Sequence, residues 1–204
     1  METIFFLIVL VFSAILHEIA HGVAAEYFGD YTARDEGRIT LNPVSHIDPF
    51  FTILLPLMTY STGVVFGAAK PVPVNYYNLR NLRWGVFWVS IAGVLTNLLL
   101  AFIMALPVRF GLVAPELGSV FTAVAQINVY LAVINLIPIP PIDGSKVLAS
   151  LLGERAILKV MAMEGNGILG IIPYFILIYL LFLTPLFHVI ITPVVSFFFG
   201  VVGI

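Results

Sequence analysis

Six apolar segments dominate this sequence and leave little of the chain for anything except helices in a membrane. They cover about residues 4–25, 50–69, 84–106, 119–137, 168–183 and 186–203 of the 204 residues. A transmembrane helix needs about 20 mainly apolar residues. Charged side chains make up 10% of the chain, whereas ordinary globular domains have roughly 25%. We therefore expect an all-α polytopic membrane protein with about five to six apolar segments and no sizeable soluble domain.

Net charge and cysteine content exclude several classes of protein. Nine Lys and Arg residues against eleven Asp and Glu residues give a net charge of -2, which provides no basic surface for nucleic acid. The chain has no cysteine, so it has no disulfide framework and no thiolate metal site. Any transition metal must be held by His, Asp or Glu.

The stretch between the first and third apolar segments contains two candidate strands. Residues 38–42 alternate polar and apolar side chains, and residues 70–75 (KPVPVN) are extended by their prolines. We predict a small β-hairpin or sheet here, near the functional site, with a surface loop as the alternative interpretation. At the other end of the chain, Thr184 and Pro185 predict the turn of a helical hairpin between the last two segments.

The first apolar segment contains the strongest chemical signal. His17, Glu18 and His21 form an HExxH sequence, and on a helix this spacing places both imidazoles on one face, where they can share a zinc ion. Ionisable groups inside an apolar helix are unfavourable unless something compensates their charge and polarity. A metal ion would do so, with Glu18 beside it to take a proton from water. A hydrogen-bonded His–Glu pair that braces helix packing is the structural alternative.

Two histidines do not complete a catalytic zinc site, which usually has three protein ligands. Asp143 stands out among the remaining candidates because it follows a proline-rich break, and irregular backbone at membrane depth that carries a carboxylate indicates a functional site. His188 on an apolar helix is more typical of a packed or interfacial histidine, and His46 and Asp48 are more typical of loop structure. The third ligand is drawn from His46, Asp48, Glu116, Asp143 and His188.

Three spaced motifs together resemble the site-2 protease family of intramembrane zinc metalloproteases. They are HEIAHG at 17–22, AGVLTN at 92–97 and NLIPIPPIDG at 135–144. The sequences at 42–49 and 70–75 are similar to those of the short bacterial members without PDZ or CBS domains. Two positions depart from the usual pattern: Val94 replaces a proline, and Ser145 replaces a second glycine.

The resemblance implies a role for each matching residue. His17, His21 and Asp143 correspond to the ligands of one zinc ion, and Glu18 corresponds to the catalytic acid/base. Asn97 and Asn135 match asparagines near the family's active site, which implies substrate binding. The expected domain organisation is a single membrane-embedded metalloprotease domain over residues 1–204.

The proposed ligands require a particular topology. His17 and His21 lie in the C-terminal half of the first helix, and Asp143 lies just beyond the C-terminal end of the fourth apolar segment, so these two helices must point the same way. We then expect residues 50–69 to enter and leave the membrane on one side, with an arrangement in which they cross and another segment does not as the alternative. Eight of the nine Lys and Arg residues fall on one side in this topology, leaving Arg109 on the other. The positive-inside rule then predicts a cell-membrane protein with its amino terminus outside and its active site towards the cytoplasm.

These observations predict an intramembrane zinc endopeptidase that hydrolyses peptide bonds in or near transmembrane segments of membrane proteins. Its expected partners are a transmembrane protein or peptide substrate and the lipid bilayer. A divalent metal ion transporter or channel is the alternative, because buried His, Asp and Glu residues also mark ion pathways. A relative that binds membrane partners without catalysis is a third interpretation.

Overall fold

A computed structural model describes residues 2–60, 67–165 and 167–203 of the chain. Within these residues the regular structure is helical, as the apolar sequence predicts. The α-helices are α1 (Glu2–Tyr27), α2 (Thr32–Asp35), α3 (Leu55–Tyr60), α4 (Leu82–Arg109), α5 (Pro115–Asn135), α6 (Asp143–Leu152), α7 (Glu154–Glu164), α8 (Gly167–Leu183) and α9 (Pro185–Val202). Two 3-10 turns, Pro43–His46 and Tyr76–Asn78, and a π-helical turn, Pro49–Leu54, complete the described structure.

Helix α4 is the centre of the fold, because it packs against both α1 and α5. Small side chains make this close packing possible: Ala101 and Ala105 on α4 and Ala125 and Ala132 on α5 are fully buried. Helices in membranes associate through such small residues because their backbones can then approach closely. A second buried cluster joins the N-terminal half of α4 to α1, α6 and α7, and it lies at the end of the fold that carries the HExxH motif.

The chain leaves α1 and enters α4 at the same end of the helices. The main-chain N–H of Arg80 donates a 2.9 Å hydrogen bond to the carbonyl of Phe28. The first and last residues of the connection between α1 and α4 therefore lie next to each other. The entry and exit of residues 50–69 on one side of a membrane stays a prediction, because residues 61–66 of this segment lie outside the described residues. Pro56 lies within α3, whereas Gly63, the second predicted interruption of this block, lies outside the described residues.

The predicted β-hairpin is wrong: no residue in the described parts of the chain forms a strand. Residues 67–75 are extended, but their hydrogen bonds go to side chains and to single main-chain carbonyls instead of to a neighbouring strand. The Arg38 guanidinium donates from Nη2 to the carbonyls of Lys70 and Pro71, each at 3.2 Å. Pro71 and Pro73 have no N–H to contribute to a ladder, which explains why a side-chain clamp replaces the sheet.

The prediction of five to six membrane segments is also too high for the described residues. Three helices are long and apolar enough to cross a membrane, namely Ile4–Tyr27, Leu82–Arg109 and Pro115–Asn135. The other apolar helical stretches, Pro49–Thr59, Ile172–Leu183 and Ile191–Val202, are shorter. Helices α8 and α9 continue through Pro173 and Pro193. Helices α8 and α9 do meet at Thr184, the predicted turn.

Candidate metal centre

His17 and His21 lie one turn apart on α1 and turn their imidazoles towards each other. Their ring centroids are 4.6 Å apart, and their Nε2 atoms are separated by 3.0 Å. Both side chains are buried. The spacing of four residues produces this arrangement, because side chains at i and i+4 lie on the same face of a helix.

Asp143 completes a triangle of donor atoms with the two histidines. It is the first residue of α6 and follows the proline-rich turn after α5. Its Oδ2 atom lies 3.1 Å from Nε2 of His17 and 3.1 Å from Nε2 of His21. Among the described residues, this is the one group of three or more His, Cys, Asp or Glu side chains arranged to hold a metal.

The hydrogen bonds of the two histidines fit a bound cation better than a metal-free site. Nδ1 of His21 lies 2.7 Å from the carbonyl oxygen of Val89, and since a carbonyl only accepts, Nδ1 carries the proton of neutral His21. The Nε2 lone pair of His21 then faces Asp143 Oδ2, which is also an electron-rich atom. A cation between the donors removes this repulsion, and an imidazole that donates its other N–H to a carbonyl is typical of metal sites.

The size of the triangle also fits zinc. Ligand bonds of about 2.0–2.1 Å in tetrahedral geometry separate the ligand atoms by about 3.3 Å, and the observed separations are 3.0–3.1 Å. Two imidazole nitrogens and one carboxylate oxygen form a donor set that zinc accepts, and three protein ligands leave a fourth position open.

Two glycines provide the space that the site needs. A Cβ atom on Gly93 would lie 2.5 Å from Cε1 of His17, so α4 approaches the imidazole as closely as a residue without a side chain permits. A Cβ atom on Gly144 would collide with the carbonyl of Leu136 in the turn before Asp143. Gly93 belongs to the motif at 92–97 and Gly144 to the motif at 135–144. Each lets the main chain pack closely, Gly93 against the ligand His17 and Gly144 against the turn that precedes the ligand Asp143.

Glu18 lies beside the triangle and is held by the extended segment. Its Oε2 atom accepts a 2.8 Å hydrogen bond from the main-chain N–H of Val72. The segment is anchored on both sides of this contact, since the N–H of Lys70 donates to the carbonyl of His46 at 2.8 Å and the N–H of Asn75 donates to Asp30 at 2.7 Å. Oε1 of Glu18 has no hydrogen-bond partner in the described parts of the chain.

The two asparagines predicted to bind substrate occupy different environments. Asn135 is the last residue of α5, where it is partly exposed, and its Nδ2 donates to the carbonyl of Leu131 at 2.9 Å. Asn97 lies one turn beyond Gly93 on α4 and is fully buried. Neither polar atom of the Asn97 side chain has a hydrogen-bond partner in the described structure.

The other sequence candidates lie outside the triangle. His46 is buried and its Nε2 lies 2.9 Å from the carbonyl oxygen of Thr40. Asp48 accepts from the main-chain N–H groups of the π-helical turn that follows it. Glu116 lies in the first turn of α5. The side chain of His188, on α9, falls outside the described residues.

Sequence reasoning missed two main-chain groups at this site. The N–H of Val72 orients Glu18, and the carbonyl of Val89 sets the tautomer of His21. Neither could be read from a motif, because every residue except proline has the same main-chain groups. The close approach of Gly93 to His17 could have been inferred from a glycine on a helix that must pack against a metal ligand.

Comparison with known proteins agrees with the geometry. The sequence profile described as "Peptidase family M50" matches residues 111–180, which include Asp143. The chain is 35% identical over 201 residues to "Putative zinc metalloprotease YwhC" of Bacillus subtilis (strain 168), covering 94% of this chain and 86% of that protein. No solved structure matches.

Mycobacterial relatives give a shorter match. Rip2 of Mycobacterium tuberculosis, which carries the same metalloprotease description, is 30% identical over 134 residues, or 65% of this chain and 51% of Rip2. Rip2 of Mycolicibacterium smegmatis is 30% identical over 137 residues, with the same coverage. Given the near full-length match to the Bacillus protein, the chain belongs to peptidase family M50, the site-2 family of zinc-dependent membrane proteases.

Proposed function

We propose that this protein cuts peptide bonds in or near transmembrane segments of membrane proteins, with His17, His21 and Asp143 as the ligands of one zinc ion and Glu18 as the catalytic acid/base. One observation carries the proposal: three donor atoms from helices far apart in sequence lie within 3.1 Å of one another, and a carboxylate stands beside them. No other described group of side chains offers comparable chemistry.

The two oxygens of Glu18 have separate tasks in this proposal. Zinc, when bound, supplies a Lewis acid for the scissile carbonyl and lowers the pKa of a water molecule towards neutrality. Oε2 of Glu18 is held by the Val72 N–H, which leaves Oε1 to accept the proton of the attacking water. The same atom then passes that proton to the leaving amine, as a general base that becomes a general acid.

The extended segment is the proposed binding surface for substrate backbone. A peptide bond in a membrane helix is already hydrogen-bonded, so cleavage requires a locally unwound substrate whose amides find new partners. The main-chain N–H and carbonyl of Val74 have no partner within the described residues, and they lie two residues from the group that holds Glu18. Addition of an extended substrate here would resemble strand addition to a sheet edge.

Asn135 and Asn97 remain candidates for substrate contact. Asn135 is partly exposed at the end of α5, and the turn that follows it leads to Asp143. Its carboxamide oxygen is suited to a substrate N–H, and the Nδ2 hydrogen that does not bond to Leu131 is suited to a developing oxyanion. Asn97 is buried, so a contact with substrate would require the helices around it to separate.

The domain organisation and orientation are proposed from the ligands and the charges. Residues 1–204 act as one membrane-embedded domain, because the ligands come from α1 and α6 and the acid/base is oriented by the segment between them. The amino terminus lies outside and the metal lies towards the cytoplasm. Support comes from the positive-inside rule, because eight positive residues share the side of the metal in this topology, namely Arg34, Arg38, Lys70, Arg80, Arg83, Lys146, Arg155 and Lys159.

The direct test combines metal analysis with cleavage. Purified protein should hold about one zinc per chain, and His17→Ala, His21→Ala and Asp143→Ala should each lose it. Glu18→Gln should keep zinc and lower kcat for transmembrane peptides in liposomes by at least about 100-fold. Glu116→Gln, at an exposed carboxylate outside the triangle, is the matched control. Zinc retained in all three ligand variants would contradict the proposal, and ion flux without cleavage would support transport instead.

A further inference from the structure

A buried lysine lies one turn after the proposed metal ligand Asp143. Lys146 on α6 is only 8% exposed, although lysine is almost never buried without a partner. Its Nζ atom lies 2.8 Å from Oε1 of Glu164 and donates to the carbonyl of Pro141 at 3.2 Å. The ammonium group therefore joins α6 to the last residue of α7 and to the turn that precedes Asp143.

Stability is a weak explanation for this pair. Removing two charges from water is unfavourable, and apolar residues of similar volume are often as good or better for stability than a buried ion pair. The surroundings would suit apolar residues, since Val86 and Ile157 line the same small cavity as Lys146. Tyr76 lines it too, but burial raises the pKa of Tyr76 to about 12, so its phenol stays neutral and Glu164 supplies the negative charge.

The turn before Asp143 has few hydrogen bonds of its own. Pro138, Pro140 and Pro141 have no N–H to donate, and the main-chain N–H groups of Ile139 and Ile142 donate at 2.9 Å to the carbonyls of Ile137 and Ile139. Ile142, which caps α6, makes no side-chain hydrogen bond to the helix. The Asp143 carboxylate must nevertheless lie within about half an ångström of a productive position to serve a metal site. Lys146 follows Asp143 in α6 and donates to the carbonyl of Pro141, which precedes Asp143 in the turn. The lysine therefore connects the two stretches of chain that flank Asp143.

We propose that Lys146 and Glu164 form a positioning pair that fixes the carboxylate of Asp143 for zinc. Lys146 ties the Pro141 carbonyl to the first turn of α6, and Glu164 holds the ammonium group in place from α7. In the described part of the chain neither residue has a hydrogen bond or ion pair to the metal triangle or to Glu18, so the pair acts through the position of Asp143. This inference rests on the proposed role of Asp143 as a ligand.

The test compares zinc affinity with the stability of the metal-free protein. In Lys146→Met/Glu164→Met both charges are removed together, so no charge is left buried without a partner. We expect the zinc Kd, measured by chelator competition on the purified full chain, to rise about tenfold or more, as for other residues that orient ligands. The thermal unfolding midpoint of the metal-free protein should stay near that of the wild type. Lys146→Arg, which keeps the charge and the donors, should bind zinc more tightly than the double variant.

Control variants make each outcome decisive. Lys159→Met and Glu154→Ala change exposed charges on α7 and should leave the zinc Kd unchanged. If the double variant does not fold, Glu164→Ala carries the test, because Glu164 is partly exposed and its loss lets water reach Lys146. A wild-type zinc Kd in the folded double variant, or in Glu164→Ala, would overturn the positioning role.

Asp143→Ala, measured in parallel, separates the two proposals. Retained zinc in this variant would refute Asp143 as a ligand. Lost zinc in Asp143→Ala together with a normal zinc Kd in the double variant would refute only the positioning pair.

Discussion

The main-chain N–H of Val72 donates a 2.8 Å hydrogen bond to Oε2 of Glu18, although the two residues are 54 positions apart in the chain. The contact links the proposed acid/base to the segment proposed to receive substrate. It also leaves one carboxylate oxygen free to exchange a proton. The orientation of Glu18 therefore depends on the position of the extended segment as well as on α1.

Removing this N–H should slow the chemical step. Val72→Pro deletes the donor and changes a buried side chain. Because residue 72 precedes Pro73, it already favours the extended backbone that proline adopts. We expect kcat for a transmembrane peptide to fall by about tenfold to 100-fold, since a displaced general base loses its alignment. Bound zinc should be unchanged, because Glu18 is not a proposed ligand.

Val72→Ala is the matched control for the deleted donor. It loses part of a buried side chain but keeps the N–H, so its kcat should stay within about twofold of wild type once differences in folded protein are corrected. Equal kcat values for Val72→Pro and Val72→Ala would mean that the hydrogen bond does not orient Glu18.

A second proline tests the substrate surface in the same segment. Val74 has no hydrogen-bond partner for its N–H in the described structure, so Val74→Pro should leave both Glu18 and the fold in place. If substrate pairs with this N–H, KM should rise several-fold with kcat little changed, because a contact made equally in the ground and transition states affects KM. Steady-state kinetics against a transmembrane peptide, with Val74→Ala alongside, measure this split. Identical KM values in the two variants would rule out backbone pairing at Val74.

The core of the site could be predicted from sequence because its side chains follow simple geometric rules. His21 lies four positions after His17, which is about one helical turn, and the prolines before Asp143 mark a break in the helix where a carboxylate has space. The demand that Asp143 reach the histidines also requires the chain between α1 and α4 to return to its starting side, and the 2.9 Å contact between Arg80 and Phe28 agrees with this.

The strand prediction failed for a reason that the same sequence contains. Alternation at 38–42 and prolines at 70–75 both favour extended backbone, but a ladder needs N–H groups that Pro71 and Pro73 lack. The Arg38 side chain donates to the carbonyls of Lys70 and Pro71, which in a sheet would accept from the N–H groups of a neighbouring strand. A pattern of apolar and polar residues carries no information about this kind of contact between a side chain and a distant main chain.

The close approach of α4 to His17 predicts a strong effect of one added methyl group. Gly93→Ala places a Cβ atom 2.5 Å from Cε1 of His17, so either the imidazole or the helix must move. We expect zinc affinity to fall at least about tenfold, because an imidazole displaced by a fraction of an ångström no longer meets the other two donors. Chelator competition on the purified protein measures the change.

Gly118→Ala separates this steric effect from the general effect of alanine in a helix. Gly118 lies in α5 with no atom within 4 Å of the new Cβ, and alanine favours a helix over glycine by about 1 kcal/mol. The Gly118 variant should therefore be as stable as wild type or more stable, with normal zinc affinity. Full zinc affinity in Gly93→Ala would show that His17 does not need this contact distance.

Asp30 predicts a pH dependence for the stability of the segment that holds Glu18. The carboxylate is fully buried and accepts hydrogen bonds from Thr32, from the main-chain N–H of Asn75 at 2.7 Å and from Asn78 at 2.9 Å. Burial opposes the charged form, but these hydrogen bonds outweigh it and lower the pKa of Asp30 below its ordinary value. A group whose pKa is lower in the folded state stabilises the fold above its unfolded pKa of about 3.9, and this contribution is lost as the pH falls through the folded value.

Asp30→Asn should therefore destabilise the metal-free protein by about 2 kcal/mol at pH 7, and the difference from wild type should shrink below about pH 4. Metal-free protein is used because loss of zinc in acid would add a second transition. Thermal unfolding in detergent between pH 7 and pH 3 measures the effect, with Asp35→Asn, at an exposed carboxylate five residues away, as the control without such a difference. A constant difference in stability between wild type and Asp30→Asn across this range would mean that the charge of Asp30 does not stabilise the fold. The hydrogen bond from the Asn75 N–H would then not depend on that charge.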